Sequence, residues 1–188
     1  MQADLYRLPF EPGSFDFAYC FGVLQHTPEI EAAFVSVTKQ VRAGGKIAVD
    51  VYPRSPATLF WPKYWLRPIT RRIPMRMLFS VVRRMVPALI PVRRLLGRVP
   101  AIGRRLRYAI PIMDYEGSLP LSDSQLEEWA ILDTFDMYAP AHDHPQTEKT
   151  VRAWFERTNL EGIEVFRSGF IVGRGIKRPA RRDGQPTS

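Results

Sequence analysis

Three histidines are the side chains of this sequence whose ordinary pKa lies nearest neutral pH. His26 follows Gln25 just after an apolar run, while His142 and His144 lie in a polar stretch. A neutral imidazole can remove a proton from a hydroxyl or an amine. His26 and His142 are therefore candidate catalytic residues. A helix cap or a merely exposed pair is the alternative for Gln25 and His26.

Two further polar side chains precede the downstream histidines. Asp136 and Tyr138 are predicted to share a loop with them, and Tyr138 is a third catalytic candidate. His142, Asp143 and His144 alternate in type, but no other metal-ligating residues cluster around them. No metal site is predicted.

The elements that must position these residues are typical of an α/β protein. The range 15–23 is short, aromatic and nearly continuous in apolar character, which predicts a strand buried on both faces. Thr27 as N-cap and Pro28 at the first helical position predict a helix that ends at the glycine pair 44–45. The range 46–52 is the next predicted strand, which completes a parallel crossover unit.

The C-terminal part returns to regular elements. The range 124–129 predicts a short helix and the range 147–158 a clearer one, with Asn159 as C-cap. The range 163–176 predicts an antiparallel hairpin that turns at 167–169.

Composition limits the class of protein. With 188 residues, 45% hydrophobic and 24% charged, the chain is predicted to fold as a globular protein of ordinary size. The single cysteine, Cys20, cannot form an internal disulfide and is expected to pack as a small core residue in a reducing compartment, hence the cytoplasm. No apolar run reaches the length of a membrane span, and no signal peptide is recognised.

The positive charge is concentrated in one segment. The range 51–113 holds 14 of the 27 Lys and Arg residues and none of the 19 acidic ones. Ten of the 17 prolines lie in 53–120, which predicts short, interrupted, basic amphipathic helices that form an inserted cap. Such an uneven distribution of charge along the chain indicates that this segment binds a separate partner.

Three functions are open for this basic insert. The first is a cap over an active site, with an acceptor pocket built from large aromatic side chains: Trp61, Tyr64, Trp65 and Phe79. The second is peripheral attachment of 54–113 to an anionic membrane surface. The third is nucleic acid, which is disfavoured because binding to a phosphate backbone does not need apolar anchors such as Leu78, Val82 and Leu89.

Four short motifs in order along the first part of the chain resemble the class I S-adenosylmethionine-dependent methyltransferases. The closest resemblance is to the branch, methyltransferase type 11, that includes ubiquinone and menaquinone biosynthesis enzymes. The motifs are Asp4-Leu5-Tyr6-Arg7-Leu8-Pro9-Phe10, Gly13-Ser14-Phe15-Asp16, Gly22-Val23-Leu24-Gln25-His26 and Val41-Arg42-Ala43-Gly44-Gly45-Lys46-Ile47. The last helix and hairpin, with Trp154-Phe155 and Gly173-Arg174-Gly175, are similar to the same family.

The resemblance implies an α/β fold with part of a Rossmann-like sheet, its strands 4 and 5 and its terminal hairpin, and a cofactor site at the carboxyl ends of the parallel strands. Asp4 would accept a hydrogen bond from the adenine amino group, with the Leu5 backbone beside the ring. Phe21 and Gly22 would bring carbonyl groups near the amino group of the methionine moiety, with Gln25 at the strand mouth on the substrate side. A turn aspartate is the alternative for Asp4, and plain core packing is the alternative for Phe21 and Gly22.

One family feature has no counterpart in the sequence. The glycine-rich loop and the acidic residue that hold the cofactor in family members would lie upstream of Asp4, so an N-terminally truncated domain with weakened cofactor affinity is expected. The predicted organisation is a partial methyltransferase core (1–53), the basic helical insert (54–120), the rest of the core (121–177) and a disordered tail (178–188).

Two functions are compatible with the sequence. The leading one is methyl transfer from S-adenosylmethionine to a small or lipid-like acceptor. The alternative is a non-catalytic remnant or subunit that binds a partner or a membrane through the insert. Self-association through the sheet edge at the first strand is expected in either case.

Overall fold

The chain divides into two compact units. The computed structural model describes residues 2–54 and 62–179. The first unit comprises 1–54 and 142–188, and the second comprises 55–141. The predicted insert and tail boundaries stay predictions, and residues 180–188 of the tail, like Trp61, lie outside the described residues.

The first unit is built on a four-stranded mixed sheet of order β1-β2-β4-β3. Strands β1 and β2 are parallel, whereas β4 pairs antiparallel with both β2 and β3. This confirms the predicted strand, helix, strand crossover and the terminal hairpin. The elements are β1 Phe15–Cys20, α1 Ile30–Lys39, β2 Val41–Val51, α6 Glu148–Arg157, β3 Leu160–Ser168 and β4 Phe170–Lys177.

Helices α1 and α6 pack on one face of this sheet around a buried aromatic cluster. The rings of Phe34 and Phe155 lie 4.8 Å apart, and Trp154 completes the cluster. The other face of β1 is not covered: Phe17 is 51% exposed and Tyr19 is 68% exposed. The prediction that this strand is buried on both faces was therefore wrong, although Cys20 does pack in the core as predicted.

The two ends of α1 also differ from the prediction. Thr27 is buried and its hydroxyl donates to the Leu24 carbonyl at 2.7 Å, so it does not cap the helix, which begins at Ile30. The helix ends at Lys39, and the glycine pair 44–45 lies inside β2. A Cβ on Gly45 would stand 2.8 Å from the Asp16 carbonyl oxygen, so the glycine is needed for close approach of β1 where the strand register shifts.

The second unit is helical. Its core forms where the face of α3 that carries Leu78, Val82 and Val86 packs against Ala130 and Tyr138 of α5. Its helices are α2 Pro62–Thr70, α3 Met75–Gly97, α4 Gly103–Leu106 and α5 Asp123–Tyr138.

Two predictions for this unit were wrong. Helix α3 runs uninterrupted through Pro87 and Pro91, because its buried face supplies packing that outweighs the missing backbone hydrogen bonds. Helix α5 is longer than the predicted 124–129 helix and contains Asp136 and Tyr138, which were expected in a loop. A capping box of Ser122 and Gln125 starts it. Within 2–54 and 62–179, no helix is long and apolar enough to cross a bilayer.

Candidate functional site at the carboxyl ends of β1 and β2

The carboxyl ends of β1 and β2 lie side by side, since Cys20 pairs with Val49. Just beyond β1, Gly22 adopts a left-handed backbone with φ of 69°, and its N–H donates to the Asp50 carboxylate at 2.6 Å. The charge of Asp50 also acts on Cys20, whose pKa is raised to about 11 mainly by burial and secondly by that carboxylate. Asp50 thus places a carboxylate at this edge of the sheet, and Cys20 stays a neutral thiol at neutral pH.

A 3₁₀ turn, Leu24–His26, follows and holds Gln25 wholly inside the protein. The backbone carbonyl of Gln25 accepts a hydrogen bond from the His144 N–H at 2.9 Å. Neither amide atom of the Gln25 side chain has a hydrogen-bond partner among the residues that the structure describes. Because unpaired buried polar groups are costly, this amide is suited to a polar ligand rather than to core packing.

His26 is held from two directions. Its Nδ1 lies 3.0 Å from the His142 carbonyl oxygen, so Nδ1–H donates and Nε2 carries the lone pair in the neutral ring. The ring also packs edge-on against Tyr52, with centroids 5.5 Å apart. Nε2 is buried and unpaired within the described part of the chain. This fixed tautomer gives the imidazole a proton acceptor at Nε2.

The returning chain closes this edge. Gln146 donates its N–H to the Tyr52 carbonyl at 2.8 Å, and Arg54 donates its own to the Gln146 carbonyl at 2.7 Å. The rings of His142 and His144 stack, with centroids 5.7 Å apart. The structure thus brings together Gln25, His26 and the 142–146 loop, three of the features that the sequence singled out.

Asp4 and Leu5 are connected to the start of α1 through their neighbour Tyr6. The Tyr6 hydroxyl accepts the N–H of Glu29, the residue before α1, and this end of α1 adjoins the end of β1. Asp4 is exposed, and its Oδ1 accepts the Tyr6 N–H at 2.9 Å in a tight turn. That contact is the turn role of the alternative interpretation, and the adenine-binding role stays a prediction. Leu5 packs against the first unit's core.

Tyr138 belongs to the second unit and is buried there. Its hydroxyl donates to the Pro111 carbonyl at 2.7 Å, and burial raises its pKa to about 12. A phenol that is neutral, buried and already bonded is part of the helical core. Asp136 is exposed on the same helix.

The family model of the methyltransferase domain matches residues 1–49, the stretch that contains β1, α1, most of β2 and the Gln25–His26 turn. Residues 1–49 are thus similar to part of a methyltransferase domain. No curated protein matches the chain. The match supports S-adenosylmethionine as the expected cofactor.

Solved structures of low identity resemble the chain. A methyltransferase from Thermotoga maritima, described as a possible histamine N-methyltransferase, is 13% identical over 95% of this chain and 63% of its own, with a TM-score of 0.44. Magnesium protoporphyrin IX methyltransferase from Synechocystis, solved with bound S-adenosylhomocysteine, is 10% identical over 94% and 50%, with a TM-score of 0.41. A possible exported protein from Bordetella parapertussis is 11% identical over 94% and 43%, with a TM-score of 0.48.

The chain corresponds to only part of each of these proteins. It spans 63% of the length of the first and half or less of the other two. At TM-scores below 0.5, none of the three establishes a function for this chain.

The sequence analysis missed Asp50 and Tyr52, which lie at and just after the end of β2. An acidic residue inside the otherwise apolar run 46–52 was the available signal for Asp50, because an acid in a buried strand needs a partner. Tyr52 gave no comparable signal; its ring packs between His26 and Phe170.

No group of three or more metal-ligating side chains occurs in the described ranges. A shallow groove of about 760 Å³ runs along α1 beside the range 6–12, and Tyr6 and Glu29 are among its lining residues. The candidate site is defined here by its polar groups.

Proposed function

We propose that this chain takes part in S-adenosylmethionine-dependent methyl transfer to an oxygen, nitrogen or carbon nucleophile of a small or lipid-like acceptor. The observation that carries the proposal is the fixed His26 imidazole at the carboxyl ends of two parallel strands, inside the stretch that matches the methyltransferase domain. The cytoplasmic location inferred from the single cysteine remains part of the proposal.

The residues at this edge fit the cofactor. S-adenosylmethionine supplies an electrophilic methyl group on a positively charged sulfur. The Asp50 carboxylate, which also fixes Gly22, favours a cationic ligand at the strand ends. Gln25 would offer its buried, unpaired amide to a polar group of the cofactor or the acceptor. Asp4, Leu5 and the Phe21 carbonyl complete the proposed cofactor set.

His26 is the proposed base. With Nδ1–H bonded to the His142 carbonyl, Nε2 can take a proton from an acceptor hydroxyl or amine as the nucleophile forms. His142 then acts through its backbone carbonyl, as a positioning residue. The environment of Tyr138 does not support the catalytic role first predicted for it, because its proton is already donated to a carbonyl.

A binding experiment tests the cofactor part. Isothermal titration of this chain with S-adenosylmethionine is expected to give measurable binding that Asp50→Asn weakens about tenfold or more, through loss of the negative charge that favours the cationic ligand. The asparagine oxygen can still accept the Gly22 N–H, so the change tests the charge and not that contact. Asp16→Asn is the matched control, since Asp16 is an exposed acid at the opposite end of β1 in an ion pair with Arg42. No heat from the unaltered chain, or equal weakening by both variants, would count against the proposal.

A kinetic experiment tests the base. Transfer of radiolabelled methyl groups to a panel of phenols, amines and unsaturated lipids is expected to fall 100-fold or more in His26→Gln. His142→Ala keeps the backbone carbonyl that holds His26, so its rate should fall much less. Equal losses in the two variants would mean that the imidazole of His26 is not the base.

A second candidate function is a binding scaffold without catalysis. The observation that favours it is the edge position of β1 together with its exposed aromatic row. An edge strand with unpaired backbone groups can accept a strand from another chain, a second copy included. Concentration-dependent sedimentation with no binding of S-adenosylhomocysteine would favour this function over methyl transfer. The exposed aromatic row, which runs along β1 and one residue beyond it, consists of Phe15, Phe17, Tyr19 and Phe21.

A further inference from the structure

Helix α2 is packed the opposite way to an ordinary surface helix. Its buried residues are the cations Lys63 and Arg67. Its apolar residues face outward: Trp65 is 65% exposed, Ile69 is 61% exposed, and Leu66 is exposed as well. A helix of a globular protein normally turns its apolar side to the core, so this arrangement requires a reason.

Hydrogen bonds to the end of α5 hold the polar side of α2 in place. The Arg67 guanidinium donates to the Met137 carbonyl at 3.2 Å and to the Pro140 carbonyl at 2.6 Å. The Thr70 hydroxyl donates to the Tyr138 carbonyl at 3.2 Å. These bonds satisfy carbonyls that the end of a helix leaves unpaired, and they keep the apolar side of α2 directed outward.

The outer face of α3 has the same character. Met77 and Val81 are one helical turn apart, and Leu95 falls on the same face further along. All three are exposed, while Leu78 and Val82 on the opposite side are buried. The unit's core is therefore formed without these side chains, and they remain available for contact.

The segment that carries these apolar side chains has charges of one sign along its sequence. The range 62–113 contains 13 Lys and Arg residues and no Asp or Glu. Arginines on α3, on the turn before it and directly after it are exposed. The exposed ones are Arg71, Arg72, Arg76, Arg83, Arg84 and Arg98.

We infer that α2 and the outer face of α3 form a docking surface for an anionic membrane. Trp65, Leu66 and Ile69 would enter the boundary between headgroups and acyl chains, and the arginines would contact lipid phosphates. Nucleic acid offers phosphate without an apolar layer, so it would leave Trp65 and Ile69 in water. An apolar protein surface would offer no negative charge to the exposed arginines.

Vesicle flotation tests the inference. We expect the chain to float with vesicles of phosphatidylcholine containing 30% phosphatidylglycerol, to remain below with pure phosphatidylcholine, and to lose binding as salt rises. The double variant Trp65→Ser/Ile69→Ser should bind at least tenfold more weakly with an unchanged circular dichroism spectrum, because both side chains are exposed.

The chain supplies a matched control. Trp129 and Leu132 are also exposed, on α5, but Glu127, Glu128 and Asp133 adjoin them. Trp129→Ser/Leu132→Ser removes the same kinds of side chain and should leave flotation unchanged.

Three outcomes would overturn the inference. These are equal binding to neutral and anionic vesicles, equal loss in the two double variants, and tight binding of a DNA duplex that the Trp65→Ser/Ile69→Ser variant retains. A dimer in lipid-free sedimentation that this variant abolishes would instead assign the surface to a second copy of the chain. None of these outcomes depends on cofactor binding or methyl transfer.

Discussion

Gly173 is the position at which one methyl group should be most damaging to the first unit. A Cβ there would stand 2.5 Å from Cε2 and 2.7 Å from Cζ of Phe155, and 3.2 Å from a methyl carbon of Val151. Both neighbours are fully buried, so the ring has no room to move aside. Overpacking on this scale costs about 3 kcal/mol, and replacing a strand glycine by alanine returns up to about 1 kcal/mol.

The expected net loss for Gly173→Ala is therefore about 2 kcal/mol in the free energy of unfolding, measured as a lower urea midpoint by circular dichroism. Gly175→Ala should cost less, since its Cβ would lie 3.1 Å from the same ring. Gly97→Ala is the control, with its nearest contact at an ordinary 3.6 Å. Adding Phe155→Leu to Gly173→Ala should recover part of the loss.

Equal urea midpoints for the unaltered chain and Gly173→Ala would refute this reasoning, because the ring would then have to move without cost. The same conclusion would follow if Phe155→Leu were simply additive with Gly173→Ala, since two side chains that clash must couple.

Three further predictions concern buried polar groups. Burial raises the pKa of Cys20 from 9.0 to about 11, so the unfolded chain loses this proton at lower pH than the folded chain. The free energy of unfolding should therefore fall by up to about 3 kcal/mol between those pH values, and by much less in Cys20→Ala. A disulfide-exchange reagent should label the native thiol only on unfolding. The absorbance titration of the native chain should contain one phenol with a pKa of about 12, and Tyr138→Phe should remove it. If the titrations of the two chains were the same, the predicted effect of burial on Tyr138 would be contradicted. Arg67→Met should lower the urea midpoint by the equivalent of about 2 kcal/mol, because two helix-end carbonyls lose their donor, whereas Arg71→Met, on an exposed residue, should leave it unchanged.

Local signals in the sequence predicted the elements of the first unit well. The apolar run before Gly22, the periodicity of α1 and the turn at Gly169 depend on neighbours close in the chain, and they identified the crossover and the hairpin. The exposure of Phe17 was not predictable in this way, because the number of covered sheet faces depends on the whole fold. The pair 44–45 misled because Gly45 is required by the close approach of the Asp16 backbone and Gly44 by a left-handed backbone with φ of 74°, not by a helix end.

The candidate site was predictable only in part. Gln25 and His26 were found because polar residues follow a predicted strand. The contact that fixes the His26 tautomer comes from His142, 116 positions along the chain, and no local pattern contains that information. Tyr138 was expected in a loop because it is near the histidines in sequence, but it is a buried member of α5.

The position of β4 inside the sheet has a consequence for synthesis of the chain. Val51 of β2 pairs with Ile171, so the ribosome must add roughly 120 residues before that ladder can close. At about 5–20 residues per second, the backbone groups on the β4 side of β2 wait roughly 6–24 s for their partners, whereas those on its β1 side can already pair. During translation the nascent β2 is thus the segment most in need of protection by a chaperone.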